Sequence, residues 1–318
     1  MKNMVRIIAA SLFVMLLAAH PVAAQKEVLL GADNPGGSYY LYGGGISTWV
    51  NDHSKTLRIT SQTTRGSVEN VRLLTGGRLD FGLANAIATY QQRHGTGQFE
   101  GQQSDKLRGV ATLDSAPIHL VTYPSSGIKT LADFAGKRVS IGAPGSGSAT
   151  TANFLFPLAG LKDKVTIQNL GFSESASNLR DGNVDAFMAA SALPLPAVVD
   201  LASTRQIVLL DIPPALVDAL HKESPFYQAS DIPAGTYPGI DKTVHSVSVS
   251  SLLLVRADTP DDVVTELLTQ MYDKDALAYM RNVYRAWDPT PGDKLFADIE
   301  VPLHPAALKY YKAHGMIK

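Results

Sequence analysis

Two glycine- and serine-rich turns, each followed by an apolar helix, carry the residues in this chain best suited to grip an anion. The first is Asn34-Pro35-Gly36-Gly37-Ser38-Tyr39-Tyr40, and behind it Tyr42, Ile46, Trp49 and Val50 recur at helical spacing. Gly37, Ser38 and Tyr39 are therefore expected at a helix N-terminus, where the first backbone N–H groups have no intrahelical partner. The second is Gly142-Ala143-Pro144-Gly145-Ser146-Gly147-Ser148, leading into an apolar helix from Thr151 to Leu158. Bare backbone and hydroxyls at the positive end of a helix suit a carboxylate, and two such turns predict one shared anionic ligand. A plain turn into a helix uses the same residue types, so that reading stands beside the functional one.

Other candidates sit at strand ends. Thr64-Arg65-Gly66-Ser67 joins a strand to a helix; Ser67 suits an N-cap, and Arg65 offers either a cation beside the hydroxyls of Thr64 and Ser67 or a solvated loop arginine. Asn85 follows the strand Phe81 to Ala84, and Ser191 follows Val184 to Ala190. Open α/β sheets place their ligands at such carboxyl ends, although both residues could instead satisfy loop backbone. Tyr237, in Gly235-Thr236-Tyr237-Pro238-Gly239, is expected either as an aromatic lid over a cleft or as loop packing.

Signatures of catalysis are missing. There is no Walker loop and no His-Glu-x-x-His, and Gly145-Ser146-Gly147 has Pro144 where a nucleophile elbow needs its first glycine. The eight histidines are scattered, with no partner at metal-ligand spacing, so no metal site and no cofactor are expected. With no cysteine, disulfides, thiolate chemistry and a lipid-anchoring cysteine are excluded.

The chain has 318 residues, 45% hydrophobic and 18% charged, which suits about two globular domains resting on ordinary packed cores. Residues 1–24 read as a signal peptide: Lys2 and Arg6 precede the apolar run Ile7 to Ala19, and Val22-Ala23-Ala24 offers small residues for cleavage. Its removal takes two basic residues from a chain whose net charge is already -1, which argues against nucleic acid as a partner. The mature protein is expected to be soluble, monomeric and periplasmic.

Strands and helices alternate along the chain, which predicts an α/β fold with mostly parallel sheet. Extended segments at 117–124 and 246–256 are expected to cross between domains. The first domain then comprises 25–123 with 247–318, and the second 124–246. Thr259-Pro260-Asp261-Asp262 predicts a helix capped by Thr259, and Pro213-Pro214 and Ser224 to Gly239 read as irregular.

At these residues the chain resembles the TAXI family, the extracytoplasmic solute receptors associated with TRAP transporters. The resemblance rests on Gly36-Gly37-Ser38-Tyr39-Tyr40, on Arg65-Gly66-Ser67-Val68-Glu69-Asn70-Val71-Arg72-Leu73-Leu74, and on Leu131 to Val139. It extends through Gly142 to Ser148, Asp185-Ala186-Phe187, Gly235 to Gly239 and Pro302 to Ala307. It implies a two-domain clamshell of the type II periplasmic binding protein kind, with two inter-domain crossings. The receptor would hold a small organic anion between its lobes (an amino acid, dicarboxylate or 2-oxoacid, glutamate-like) and deliver it to a TRAP-type membrane permease. Asn85 stands where the family often has aspartate, and Arg65 replaces a commoner glycine. The turn Ser191-Ala192-Leu193-Pro194 also differs from the family's glycine-containing one. The extra cation and the missing anion predict a more acidic ligand. Two alternatives keep the same cleft: a periplasmic sensor accessory to a membrane signalling protein, and an exported hydrolase with Ser146 or Ser148 as nucleophile.

Overall fold

The computed structural model describes residues 25–285, 287, 289 and 299–317; the expected signal peptide lies outside them. The chain starts with β1 (Lys26–Gly31), α1 (Ser38–His53), β2 (Leu57–Gln62), α2 (Ser67–Thr75), β3 (Phe81–Asn85) and α3 (Ala86–His94). The long strand β4 (Leu107–Thr122) leads to β5 (Arg138–Ser140), α4 (Gly147–Leu158), β6 (Thr166–Gln168), α5 (Phe172–Arg180) and β7 (Ala186–Ala190). Then come α6 (Pro196–Thr204), β8 (Val208–Leu209), α7 (Pro214–Glu223), β9 (Gln228–Ile232), β10 (Val244–Arg256), α8 (Asp261–Met271), α9 (Lys274–Val283) and α10 (Pro305–Ala313).

The sheet order β2-β1-β3-β10-β4-β7-β5-β6 divides into two α/β lobes joined by the antiparallel pair β4 and β10. Parallel pairing of β1 with β2 and β3 builds one lobe; parallel pairing of β5 with β6 and β7 builds the other. Strand β4 serves both, pairing with β10 through Leu107 to Pro117 and with β7 through Ile118 to Thr122. Along this shared pair, on the first lobe's side of the crossing, the ladder slips twice, at Ser251/Leu252 and Leu253/Leu254. Such bulges raise local twist and let two sheets of different tilt share one strand pair. Leu252, Leu253, Leu254 and Val255 are all fully buried, the continuous apolar run expected of a strand covered on both faces.

Packing departs from two separate cores. One cluster fills the space beneath α1, α8, α9 and α10, where Tyr42 meets Tyr284 and Trp287 edge-on at ring-centroid distances of 5.2 and 4.9 Å. A second lies under α5 and α6. The third runs unbroken from Val68, Val71 and Leu74 to Leu131, Phe134 and Val139, so apolar contact continues from lobe to lobe.

Several features differ from the sequence expectation: the sheet is mixed and not mostly parallel, because β4 and β10 run antiparallel to their neighbours, and Gly66, not Ser67, is the N-cap of α2. Pro214 opens α7 instead of breaking the chain, because proline at the first helical position gives up an N–H that would have been unpaired anyway. The segment read as wholly irregular contains β9, an exposed edge strand of polar sequence pairing with β10. At α8 the N-cap is Pro260; the Thr259 hydroxyl is buried and makes no hydrogen bond to any described residue, while its carbonyl accepts from His304.

The strand ends that face the gap between lobes are held by Asn70. Its fully buried amide donates to the carbonyls of Gly31, Ala32 and Leu83 at 3.2, 2.7 and 2.7 Å, tying β1 to β3. Asn70→Ala leaves buried carbonyls unpaired and is expected to cost about 2–4 kcal/mol in urea unfolding; a loss below about 0.5 kcal/mol would contradict this role.

Candidate functional site

Between the lobes lies a small chamber bounded by Asp33, Ser38, Tyr39, Ser67, Asn85, Ser146, Gly147, Ser148, Phe172 and Ser191, with Ala116, Ala190 and Val249 at its back. Both lobes contribute, and five helices, α1 to α5, present their first residues or N-cap to it. Helix N-termini carry partial positive charge, so the chamber has an anion-attracting field although, among the described residues, no lysine, arginine or histidine lines it.

The side chains reinforce that polarity. The Ser67 hydroxyl accepts the backbone N–H of Asn85 at 3.1 Å, Ser146 that of Ala149 at 3.1 Å, and Ser148 that of Ala190 at 2.8 Å. With a lone pair engaged by backbone, each hydroxyl has its hydrogen to give, Ser67 within hydrogen-bond reach of the Tyr39 hydroxyl. Asn85 caps α3 by accepting from Ala88 at 2.8 Å, which leaves its amide NH2 free to face Gly147 across the gap. The local sequence thus spends acceptors on the scaffold and points donors inward.

The lobes touch around this chamber. Ser38 N–H donates to Ser191 at 3.2 Å, Val68 N–H to the Gly145 carbonyl at 3.0 Å, and Phe172 N–H to the Asn34 side chain at 2.7 Å. Ser173 and Ala197 donate to the carbonyls of Pro35 and Gly36 at 3.2 Å each, and the Tyr284 hydroxyl donates to that of Pro194 at 3.0 Å. The enclosed volume is about 20 Å³, room for a water or two, so a larger ligand enters only when the lobes part. A roomier cavity of about 600 Å³, lined by Lys26, Leu57, Asp261, Glu266 and Lys309, opens on the outside of the first lobe and receives no residue from the second.

Of the residues singled out from sequence, Ser38, Tyr39, Ser67, Asn85, Ser146, Gly147, Ser148 and Ser191 meet at the chamber; Gly37, Thr64, Arg65, Gly145 and Tyr237 do not line it. Gly37 and Gly145 act at its rim. Gly37 packs against the Phe172 ring, and the Gly145 carbonyl receives Val68. Thr64 is buried in the turn, accepting from Gly66 N–H at 3.1 Å. Arg65 is exposed, its backbone N–H held by Glu69 at 2.6 Å, so the added cation expected from sequence is absent from the lining. Tyr237 is a core residue and not a lid: its hydroxyl donates to His119 Nε2 and accepts from Leu195 N–H, both at 2.7 Å. Burial lowers His119 to about 4, consistent with a neutral ring whose Nδ1 donates to the Pro117 carbonyl.

The sequence reading missed Asp33 and Phe172. Asp33 lies two residues past the end of β1, close to where the strand-end rule selected Asn85 and Ser191. Its side chain is 6% exposed, and burial raises its carboxyl to about 7. Phe172 offered no chemical signal, since it contributes a wall. Behind the chamber a second buried carboxyl, Asp114 on β4, accepts from the Tyr42 hydroxyl, and burial raises it too.

A mixed α/β pair of lobes, hinged by two long strands and enclosing polar helix ends, defines the clamshell of the two-domain periplasmic binding proteins. The chain belongs to the NMT1-like family, whose pattern it matches over residues 30–315. Solved structures are similar to it in fold. PhnD1 from Prochlorococcus marinus, determined in complex with methylphosphonate, is 10% identical, with 86% of this chain and 96% of that one covered and a TM-score of 0.54. A protein from Bordetella bronchiseptica RB50 is 14% identical over 91% and 98%, also at 0.54. The periplasmic aliphatic sulphonate binding protein SsuA from Escherichia coli is 15% identical over 92% and 88%, at 0.47.

Proposed function

We propose that this protein is an exported solute receptor that closes over a small organic anion and carries it to a membrane transporter. The observation that carries the reading is the cluster of serine hydroxyls and the Asn85 amide, assembled from both lobes on five helix N-termini. A carboxylate reaching Ser67 and Asn85 on one side and Ser146 and Ser148 on the other stabilises the closed form, because it contacts both lobes only there. In the same fold, PhnD1 was determined with a small anion, methylphosphonate. No bond need be made or broken.

The motifs shared with the TAXI family support a TRAP-type permease as the partner and an amino acid, dicarboxylate or 2-oxoacid as the cargo. Residues 25–123 with 247–318 form the first lobe in this reading and 124–246 the second; cleavage after Ala24 releases the receptor into the periplasm. Among the described residues no helix is long and apolar enough to cross a membrane.

The test is a thermal-shift screen against organic acids, sugars and cations, followed by titration of the best acid. Ser148→Ala and Ser67→Ala are each expected to weaken binding about tenfold, the value of one hydrogen bond to a charged group. A response only to sugars or cations, or affinity unchanged in both variants, would overturn the anion site.

A further inference from the structure

One group at the chamber does not suit a simple anion. Asp33 Oδ1 accepts from the backbone and side-chain nitrogens of Asn34, whereas Oδ2 accepts no hydrogen bond from any described residue. The carboxyl is 94% withdrawn from water by its 6% exposure and lines the same space as the serine donors. A carboxyl this far withdrawn from water, with one oxygen given no donor by the protein, is a costly arrangement to keep beside an anion site. It becomes favourable when the ligand brings the donor.

We propose that Asp33 selects a ligand bearing a protonated amino group close to its carboxylate, the carboxylate taking the serine and asparagine donors and the ammonium taking Asp33 Oδ2. This rests on the receptor reading and narrows it to amino acids over the dicarboxylates and 2-oxoacids of equal skeleton. Charge supports the choice. The chamber has helix N-termini and hydroxyls for the negative end, one acid for the positive end, and no cationic side chain for a second carboxylate.

Groups facing Asp33 set the pH response. Glu69 faces it from α2 and raises its carboxyl further, Tyr39 faces it from α1, and the Phe172 side of α5 brings no titrating group. An ammonium partner favours the ionised acid, so amino acid affinity rises with pH through about 7, where the carboxyl titrates. For a plain anion the ionised acid is repulsive, and affinity falls over the same interval.

The experiment is calorimetric titration of the purified protein with matched pairs, L-alanine against pyruvate and L-glutamate against 2-oxoglutarate. At least one amino acid is expected to bind about tenfold or more tighter than its oxo partner, the worth of a charge-assisted contact. Asp33→Asn should erase that preference while leaving oxo-acid affinity the same or better. Thermal melts establish that the variant is folded, and Asp33→Ser serves as a second variant if it is not. Equal or tighter binding of the oxo acids to the unmodified protein overturns the role of Asp33 and leaves the receptor standing. Binding of neither member of either pair, with no organic acid active in the wider screen, overturns the receptor reading as well.

Discussion

Gly147→Val and Gly37→Ala are each expected to abolish tight ligand binding while leaving the lobes folded. A Cβ on Gly147 would lie 2.4 Å from the Asn85 amide nitrogen and 3.3 Å from the Ser67 hydroxyl, atoms that belong to the opposite lobe. A Cβ on Gly37 would lie 2.6 Å from the Phe172 ring, again across the gap. Gly37 has φ -100°, a conformation open to any residue, and Gly147 opens α4, where helical backbone accepts a side chain. Each added group therefore obstructs closing without straining its own segment. When the binding-competent state is rarely populated, apparent affinity falls by that population, so a loss of about 100-fold or more is expected in titration calorimetry. Solution scattering should record a larger radius of gyration than in the unmodified protein. Gly37→Ala is the cleaner of the two because Gly37 does not line the chamber. Unchanged affinity in both would mean that ligand is held without closure.

Asp33 is expected to make the ligand-free protein less stable as pH rises. In the unfolded chain its carboxyl titrates near 3.8; in the folded protein burial lifts it to about 7. Between those values the folded protein holds a proton that the unfolded chain has lost. Stability from this group is therefore complete below about pH 4 and declines up to about pH 7, by roughly 4 kcal/mol from the difference in the two values. Asp114, raised in the same direction, adds to the slope, so the informative quantity is the difference between proteins. Urea unfolding of Asp33→Asn and the unmodified protein should give similar stabilities near pH 4.5. At pH 8 the variant should be more stable by about 2–4 kcal/mol. Parallel pH profiles would show that Asp33 is hydrated or paired in solution. A functional site that weakens the empty protein is ordinary, because a ligand that satisfies Asp33 recovers the loss on binding.

Much of the fold was legible because its elements have strong periodic signals. The apolar strands at Val28 to Gly31 and Val184 to Ala190, and the glycine-to-serine starts at Ser38 and Gly147, announce themselves locally. What escaped were features set by tertiary context. Helix α3 starts directly after Asn85, so a strand end and a helix cap share one residue, and α7 starts on a proline that also reads as a breaker. Edge strand β9 has a mostly exposed polar sequence with no burial pattern to reveal it. At the site, the hydroxyl-rich turns were readable because glycine and serine at a helix start serve an anion as well as a cap. For Arg65 and Tyr237 two readings stayed open because direction is not written in residue type. One side chain turns outward beside Glu69, and the other reaches inward to His119. Asp33 was in view throughout, but its significance comes from burial and from a free oxygen, which only the packed structure reveals.

A structure of the protein with the acid that gives the largest thermal shift tests the central claim most directly. The account predicts closed lobes with the ligand carboxylate within hydrogen-bond reach of Ser67, Asn85, Ser146 and Ser148, and its amino group at Asp33. Ligand seated instead in the outer groove by Lys26 and Lys309, or held by one lobe alone, would contradict it.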